Sequence, residues 1–120
     1  MEAKQKIACK IEWFEIPAPD LKKAREFYSI LFHWEIVDYS AEYLLFKSGN
    51  INGGLNGKRI PCENGFIFSI TVDDISETLK NVDLAGGKVI EDKYNIGNNL
   101  GFSASFKDPN GNHIELWSEH

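Results

Sequence analysis

Apolar and polar residues alternate with period two in several short runs and with helical spacing in two longer ones. From Lys10, residues Ile11, Trp13, Glu15 and Pro17 interleave with Glu12, Phe14, Ile16 and Ala18. That alternation, rich in aromatic and β-branched side chains, predicts a strand, which Pro17 and Pro19 close because proline cannot donate to a ladder. Asp20 then stands where a helix N-cap belongs, and Leu21, Ala24, Phe27, Tyr28, Leu31 and Phe32 form one apolar stripe of about three turns. From Gly65 the same order returns. Phe66, Phe68, Ile70 and Val72 alternate with Ile67, Ser69 and Thr71, Asp74 and Glu77 have the form of a capping box, and Ile75, Leu79, Val82 and Ala85 make a second stripe stopped at Gly86-Gly87.

The two segments align at one fixed offset, with Asp20 on Asp74, Phe14 on Phe68, Ile16 on Ile70 and Leu21 on Ile75. After the first helix come strand-like runs at 34–39, 43–48 and 51–56; after the second, at 88–92, 101–107 and 113–118. Turn chemistry separates them at Ser48-Gly49-Asn50 and at Asp108-Pro109-Asn110-Gly111-Asn112, and 56–64 and 95–99 read as loops. The expected fold is therefore α+β: a single domain over 1–120 made of tandem βαβββ modules, about 7–56 and 65–118. They should form a curved mixed sheet around a cleft, with helices outside.

Strand alternation assigns faces. If Phe14 and Ile16 pack on helices, then Trp13, Glu15 and Pro17 face the cleft. Phe66, Phe68, Ile70 and Val72 outward put Ile67, Ser69 and Thr71 inward, and Ile114 and Leu116 in the core turn His113, Glu115 and Trp117 inward. Glu15 and Glu115 are the candidate catalytic carboxylates, since an inward acid must be paired, liganded or protonated. Trp13, Ile67, Ser69, His113, Trp117 and Asn52 are the candidate ligand-binding wall. Each has a structural alternative: the acids can answer a neighbouring cation or amide, His113 can be a hydrogen-bonded wall residue, and the tryptophans can be filler. Gly53-Gly54 reads as a close backbone approach rather than a phosphate loop, because no Gly-Lys-Ser/Thr ending follows.

The 120 residues carry 13 basic and 18 acidic side chains, a net charge of −5, with 42% apolar content. An acidic chain without a basic stripe disfavours nucleic acid and membrane surfaces. No run approaches the ~20 apolar residues of a spanning helix. Cys9 and Cys62 form no Cys-x-x-Cys pair and read as free thiols, and with no signal-peptide run at the N-terminus the expected location is cytoplasmic.

The run Phe14-Glu15-Ile16-Pro17-Ala18-Pro19-Asp20-Leu21 with Ala24, Phe27-Tyr28, Phe32 and Trp34 resembles the opening of the vicinal oxygen chelate superfamily, which holds glyoxalase I, bleomycin-resistance proteins and extradiol dioxygenases. Val72-Asp73-Asp74-Ile75 with Ala85-Gly86-Gly87 resembles its second-module opening, and the segment from Asp108 to Trp117 resembles its close. The resemblance implies four inward His or Glu ligands around a divalent metal that binds adjacent substrate oxygens. Carried across, these positions fall on Trp13, on a residue within 51–56, on Ile67 and on Glu115, and only Glu115 matches a metal ligand. A catalytic divalent ion uses about three protein ligands. The expectation is thus a small-molecule-binding protein of the bleomycin-resistance type with no cofactor, an atypical metal site of Glu15, His113 and Glu115 being the variant. The alternative is a lyase or isomerase, of lactoylglutathione lyase type rather than a dioxygenase, with Glu115 or Glu15 as general base. The resemblance also implies a homodimer, and an interaction module with a vestigial cleft is a third reading.

Overall fold

The computed structural model describes residues 11–62 and 64–120. Cys9 and the first residues expected in module one lie outside the described residues. The element order is β1 (Trp13–Pro17), α1 (Leu21–Phe32), β2 (Glu35–Ser40), β3 (Tyr43–Lys47), β4 (Asn52–Asn56), β5 (Ser69–Thr71), α2 (Ile75–Leu84), β6 (Lys88–Asn95), β7 (Phe102–Lys107) and β8 (His113–Ser118). The strands form two four-stranded sheets with the same internal order, β1-β4-β3-β2 and β5-β8-β7-β6. In each, the first strand runs parallel to the last and the other pairs are antiparallel. The repeat read from the sequence is thus a repeat of topology.

Local chemistry sets the helix ends. Asp20 accepts from the Lys23 amide at 3.1 Å and Asp74 from the Glu77 amide at 3.0 Å, so each acid satisfies an orphan donor at the positive end of a helix dipole. Helix α1 stops at His33, a non-glycine residue in the left-handed region at φ 60°. After α2, Gly86 takes that region at φ 98° without a Cβ penalty.

The two apolar stripes meet in one core. Phe27 and Tyr28 of α1, Ile16 of β1 and Leu55 of β4 cluster with Ile75 and Val82 of α2 and with Phe106, Ile114 and Leu116 of the second sheet. Phe27 stacks on Phe106 across the modules, with centroids 5.7 Å apart. Burying each such ring contributes roughly 2–3 kcal/mol. The sheet edges meet where the Phe14 and Phe68 rings approach to 5.3 Å. Among the described residues, no helix is long and apolar enough to cross a membrane.

Several boundaries differ from the sequence reading, most of them by one or two residues. The fifth strand begins at Ser69, not Phe66, and Phe66 is fully exposed rather than packed on a helix. The register Ser69↔Glu115 would bring Phe66 opposite Asn112, which is held in a turn by the Asp108 amide, so the ladder has no partner for it. The sixth strand runs on to Asn95 because β7 pairs with it as far as Phe102. What read as a loop after Asn95 is a tight hairpin turn, closed by the Ile96 amide on the Gly101 carbonyl at 2.9 Å, with Gly97, Asn98 and Asn99 at positive φ.

Candidate functional site

The face of each sheet away from the helices carries the candidate residues, as alternation predicts. On β1, Ile16 is 1% exposed and Trp13 51%. On β8, Ile114, Leu116 and Ser118 are buried while His113, Glu115 and Trp117 are half-buried. Within one chain these inward faces stay open: Val37, Tyr39, Ile67, Ile90 and Tyr94 are all exposed.

On the first sheet the chemistry gathers around Glu15. Its Oε2 accepts from the Tyr43 hydroxyl at 3.0 Å, and its Oε1 accepts from Asn56 Nδ2 at 3.2 Å and is paired with Arg59 Nε at 3.2 Å. Trp13 Nε1 in turn donates to the Tyr43 hydroxyl at 3.2 Å. The register explains the cluster. Glu15 lies opposite Gly54 and Tyr43 opposite Asn56, so the Tyr43 side chain crosses the bare backbone of Gly54 to reach the acid. A Cβ at Gly54 would collide with the Tyr43 ring and hydroxyl. Burial lifts the Tyr43 phenol above its ordinary range, the Trp13 donor pulls it down, and the Glu15 hydrogen bond and charge raise it further. Tyr43, Asn56 and Arg59 were not singled out in the sequence. Their one signal was the glycine pair, which admits a side chain over the strand.

On the second sheet, Ser69, Glu115 and Ser105 lie in one register row, with Glu91 beyond. Ser69 Oγ donates to Glu115 Oε1 at 3.3 Å, and Ser105 is buried beside it. Trp117 forms a fixed wall: its Nε1 donates to the Leu100 carbonyl at 2.8 Å, and its ring lies where a Cβ on Gly101 would come within 2.8 Å. His113 heads the strand opposite Lys107. Asn52 is exposed at the start of β4, between Trp13 and Lys47, and Ile67 precedes β5.

Glu15 and Glu115 are therefore answered separately, each within its own sheet. Ser69 is the register counterpart of Glu15 and Glu115 that of Gly54, so the four family ligand positions become Trp13, Gly54, Ile67 and Glu115. Indole, glycine and an alkyl chain offer a divalent ion no lone pair, so this set does not fit the metal. Among the described residues no three His, Cys, Asp or Glu side chains gather where they could hold an ion, which also leaves Glu15, His113 and Glu115 unassembled as one site.

The described residues thus form paired βαβββ modules whose inner faces bear aromatic rings and carboxylates. The Glyoxalase/Bleomycin resistance protein/Dioxygenase superfamily profile matches residues 10–116, and the chain belongs to that superfamily, the vicinal oxygen chelate group. A glyoxylase-like domain-containing protein of Didymella fabae is 32% identical over 114 residues, covering 86% of this chain and 88% of its own. Among solved structures, a glyoxalase/bleomycin resistance protein/dioxygenase family enzyme from Burkholderia phytofirmans superposes with a TM-score of 0.78 at 16% identity, over 91% of this chain and 98% of its own. The genomically encoded fosfomycin resistance protein of Listeria monocytogenes gives 0.77 at 16% identity, over 93% and 94%. Lactoylglutathione lyase from Agrobacterium tumefaciens gives 0.69 at 23%, over 94% and 96%. These likenesses show the shared fold.

Proposed function

We propose that this chain is a small-molecule-binding member of the superfamily that works without the family's metal. The observation carrying this reading is the donor set Trp13, Gly54, Ile67 and Glu115, in which one carboxylate stands alone at the family's four positions, where a catalytic ion uses about three protein ligands. Glu15 is engaged by Tyr43, Asn56 and Arg59 and has little capacity left for a ligand. Among the described residues the Glu115 carboxylate has one hydrogen bond, from Ser69 to Oε1, and its Oε2 is left for an incoming donor. With Trp13 and Tyr94 exposed on the same side of the sheets, the chemistry suits an aromatic molecule bearing an amine or hydroxyl.

The test is elemental analysis of protein purified without chelator, followed by a thermal-shift screen of cationic and hydroxylated aromatic metabolites. Metal well below one ion per chain, with a stabilising compound whose effect is lost in Glu115→Gln, supports the reading. One tightly held divalent ion per chain, or stabilisation indifferent to Glu115→Gln, overturns it.

The free oxygen of Glu115 also favours a second reading, a lyase or isomerase in which that carboxylate abstracts a substrate proton while Ser69 fixes its orientation. Full turnover by Glu115→Gln on an identified substrate ends that reading. A homodimer belongs to the proposal as well. Exposed Val37, Tyr39, Ile90 and Tyr94 give the open inner faces apolar surface that a second copy would cover. Sedimentation equilibrium is expected to give twice the chain mass, and a monomer at tens of micromolar, roughly the range of weak association, rejects the dimer. The exposed free thiol of Cys62 suits a reducing, cytoplasmic compartment.

A further inference from the structure

The internal repeat makes two comparable junctions, and only one of them is closed. In the closed junction, the turn after β7 docks on the start of α1. The Asn110 carboxamide meets Asp20 at two points, Oδ1 accepting from the Asp20 amide at 2.7 Å and Nδ2 donating to the Asp20 carbonyl at 3.1 Å. Asn112 Nδ2 donates to the Pro17 carbonyl at 2.6 Å. Gly87, just past α2, lies so near the turn that a Cβ there would be 2.8 Å from the Lys107 carbonyl. Under this clasp Ile16 and Ala18 are buried.

The related junction joins the turn after β3 to the start of α2. This turn has four residues between its strands against five in the other, and Asn50, in the place of Asn110, has an exposed side chain. Here a groove of about 880 Å³ opens, and Ser69, whose hydroxyl meets Glu115, lies on its border. Its walls include Phe14 and Phe68, with rings 5.3 Å apart, and Trp34 stacked on Phe46 at 4.6 Å. Ile70 and Val72, the counterparts of Ile16 and Ala18, are only half-buried in it.

The backbone at its edge keeps one unanswered group. Thr78, where the first half has Ala24, donates its hydroxyl to the Asp74 carbonyl at 2.8 Å and takes the place of the Asn110 NH₂. The Asp74 amide, counterpart of the Asp20 amide, has no acceptor among the described residues. Thr71, counterpart of Pro17, lines the groove, whose border runs on to Asp73, the residue before this amide. A ligand completing this junction as Asn110 and Asn112 complete the other would present a carbonyl to the Asp74 amide and an N–H to the Thr71 carbonyl, with a flat apolar body on the rings. The carboxylates of Asp73 and Asp74 at this edge select against an anion.

We propose that this groove binds a neutral aryl carboxamide, its ring among Phe14, Phe46 and Phe68 and its carboxamide at Asp74 and Thr71. The probes are benzamide and benzoate, titrated separately into the full chain and followed by ¹H–¹⁵N NMR. Benzamide is expected to bind with Kd of about 1 mM, in keeping with its few heavy atoms. The Asp74 amide should shift downfield, and residues 48–51 and 68–73 should shift with it. Benzoate should bind at least about fivefold more weakly because of like-charge repulsion. Val72→Phe, which fills the groove, should weaken benzamide at least about tenfold by overpacking. Should that variant fail to fold, the wild-type shift map and the benzamide-to-benzoate ratio still decide. Equal or tighter binding of benzoate, shifts centred on Trp13, Glu115 and Trp117, or no shift at about ten times that Kd overturns the proposal. None of these outcomes depends on a ligand for the Glu115 face.

Discussion

The Tyr28 hydroxyl, on the helix of the first module, donates to Asp108 Oδ2, at the end of β7 in the second, at 2.7 Å, and both side chains are buried. Asp108 is the hub of the closing turn. Its Oδ1 accepts from the Asn110 and Asn112 amides, both at 2.9 Å, and its Oδ2 also accepts from Asn112 Nδ2 at 2.8 Å. A buried carboxylate is tolerated because these donors replace water. The same Asn112 nitrogen reaches the Pro17 carbonyl, so the bond network crosses from one module to the other.

Removing that hydroxyl tests the link. Burial first, then the Asp108 charge and hydrogen bond, holds the Tyr28 phenol well above its ordinary range. Tyr28→Phe should cost about 1.5–3 kcal/mol at neutral pH, the range for hydrogen bonds to charged partners. Below about pH 10 the phenol is protonated in both folded and unfolded chains and adds no slope. Above it the unfolded chain releases the proton while the folded chain keeps it, so stability falls as pH rises, by up to about 1.4 kcal/mol per unit. Urea denaturation from pH 7 to 11 should show a steeper alkaline loss for the wild type than for Tyr28→Phe; parallel curves would refute the assignment.

Topology and facing were legible in the sequence because they rest on local signals. Acidic caps at Asp20 and Asp74, the two apolar stripes and the alternation in β1 and β8 each act over a few residues. Partners were not legible. Asp108-Pro109-Asn110-Gly111-Asn112 reads as a turn from its residue types, but its contact with Asp20 and Pro17 joins positions 90 and 95 residues apart. Likewise Tyr43 alternates like any strand residue, and its place over Gly54 follows from register alone. Phe66 misled because alternation continued past the point where β8 has backbone to offer.

Gly54 holds the Glu15 cluster together by being empty. Gly54→Ala should drive the Tyr43 ring off the acid and cost about 1–3 kcal/mol, as overpacking does. In a Tyr43→Ala background the same change has room and should cost less than about 1 kcal/mol. A double-mutant cycle by chemical denaturation measures the coupling. Equal costs in the two backgrounds would mean that the ring does not occupy the space above Gly54.

The Glu15 charge should be readable in the titration of Tyr43. Glu15 both accepts the Tyr43 proton in a hydrogen bond and repels the phenolate, and each effect raises the phenol above its usual value. Glu15→Gln removes the charge, so the Tyr43 ionisation should move down toward the ordinary phenol range, without reaching it because burial still raises it. The Arg59 guanidinium is largely exposed, so its pairing with Glu15 is worth about 0–1 kcal/mol, and Arg59→Ala should leave overall stability nearly unchanged. Alkaline difference absorbance of wild type, Glu15→Gln and a Tyr43→Phe control isolates the one phenol. A Tyr43 midpoint that stays put or rises in Glu15→Gln would break the assigned contact between the two side chains.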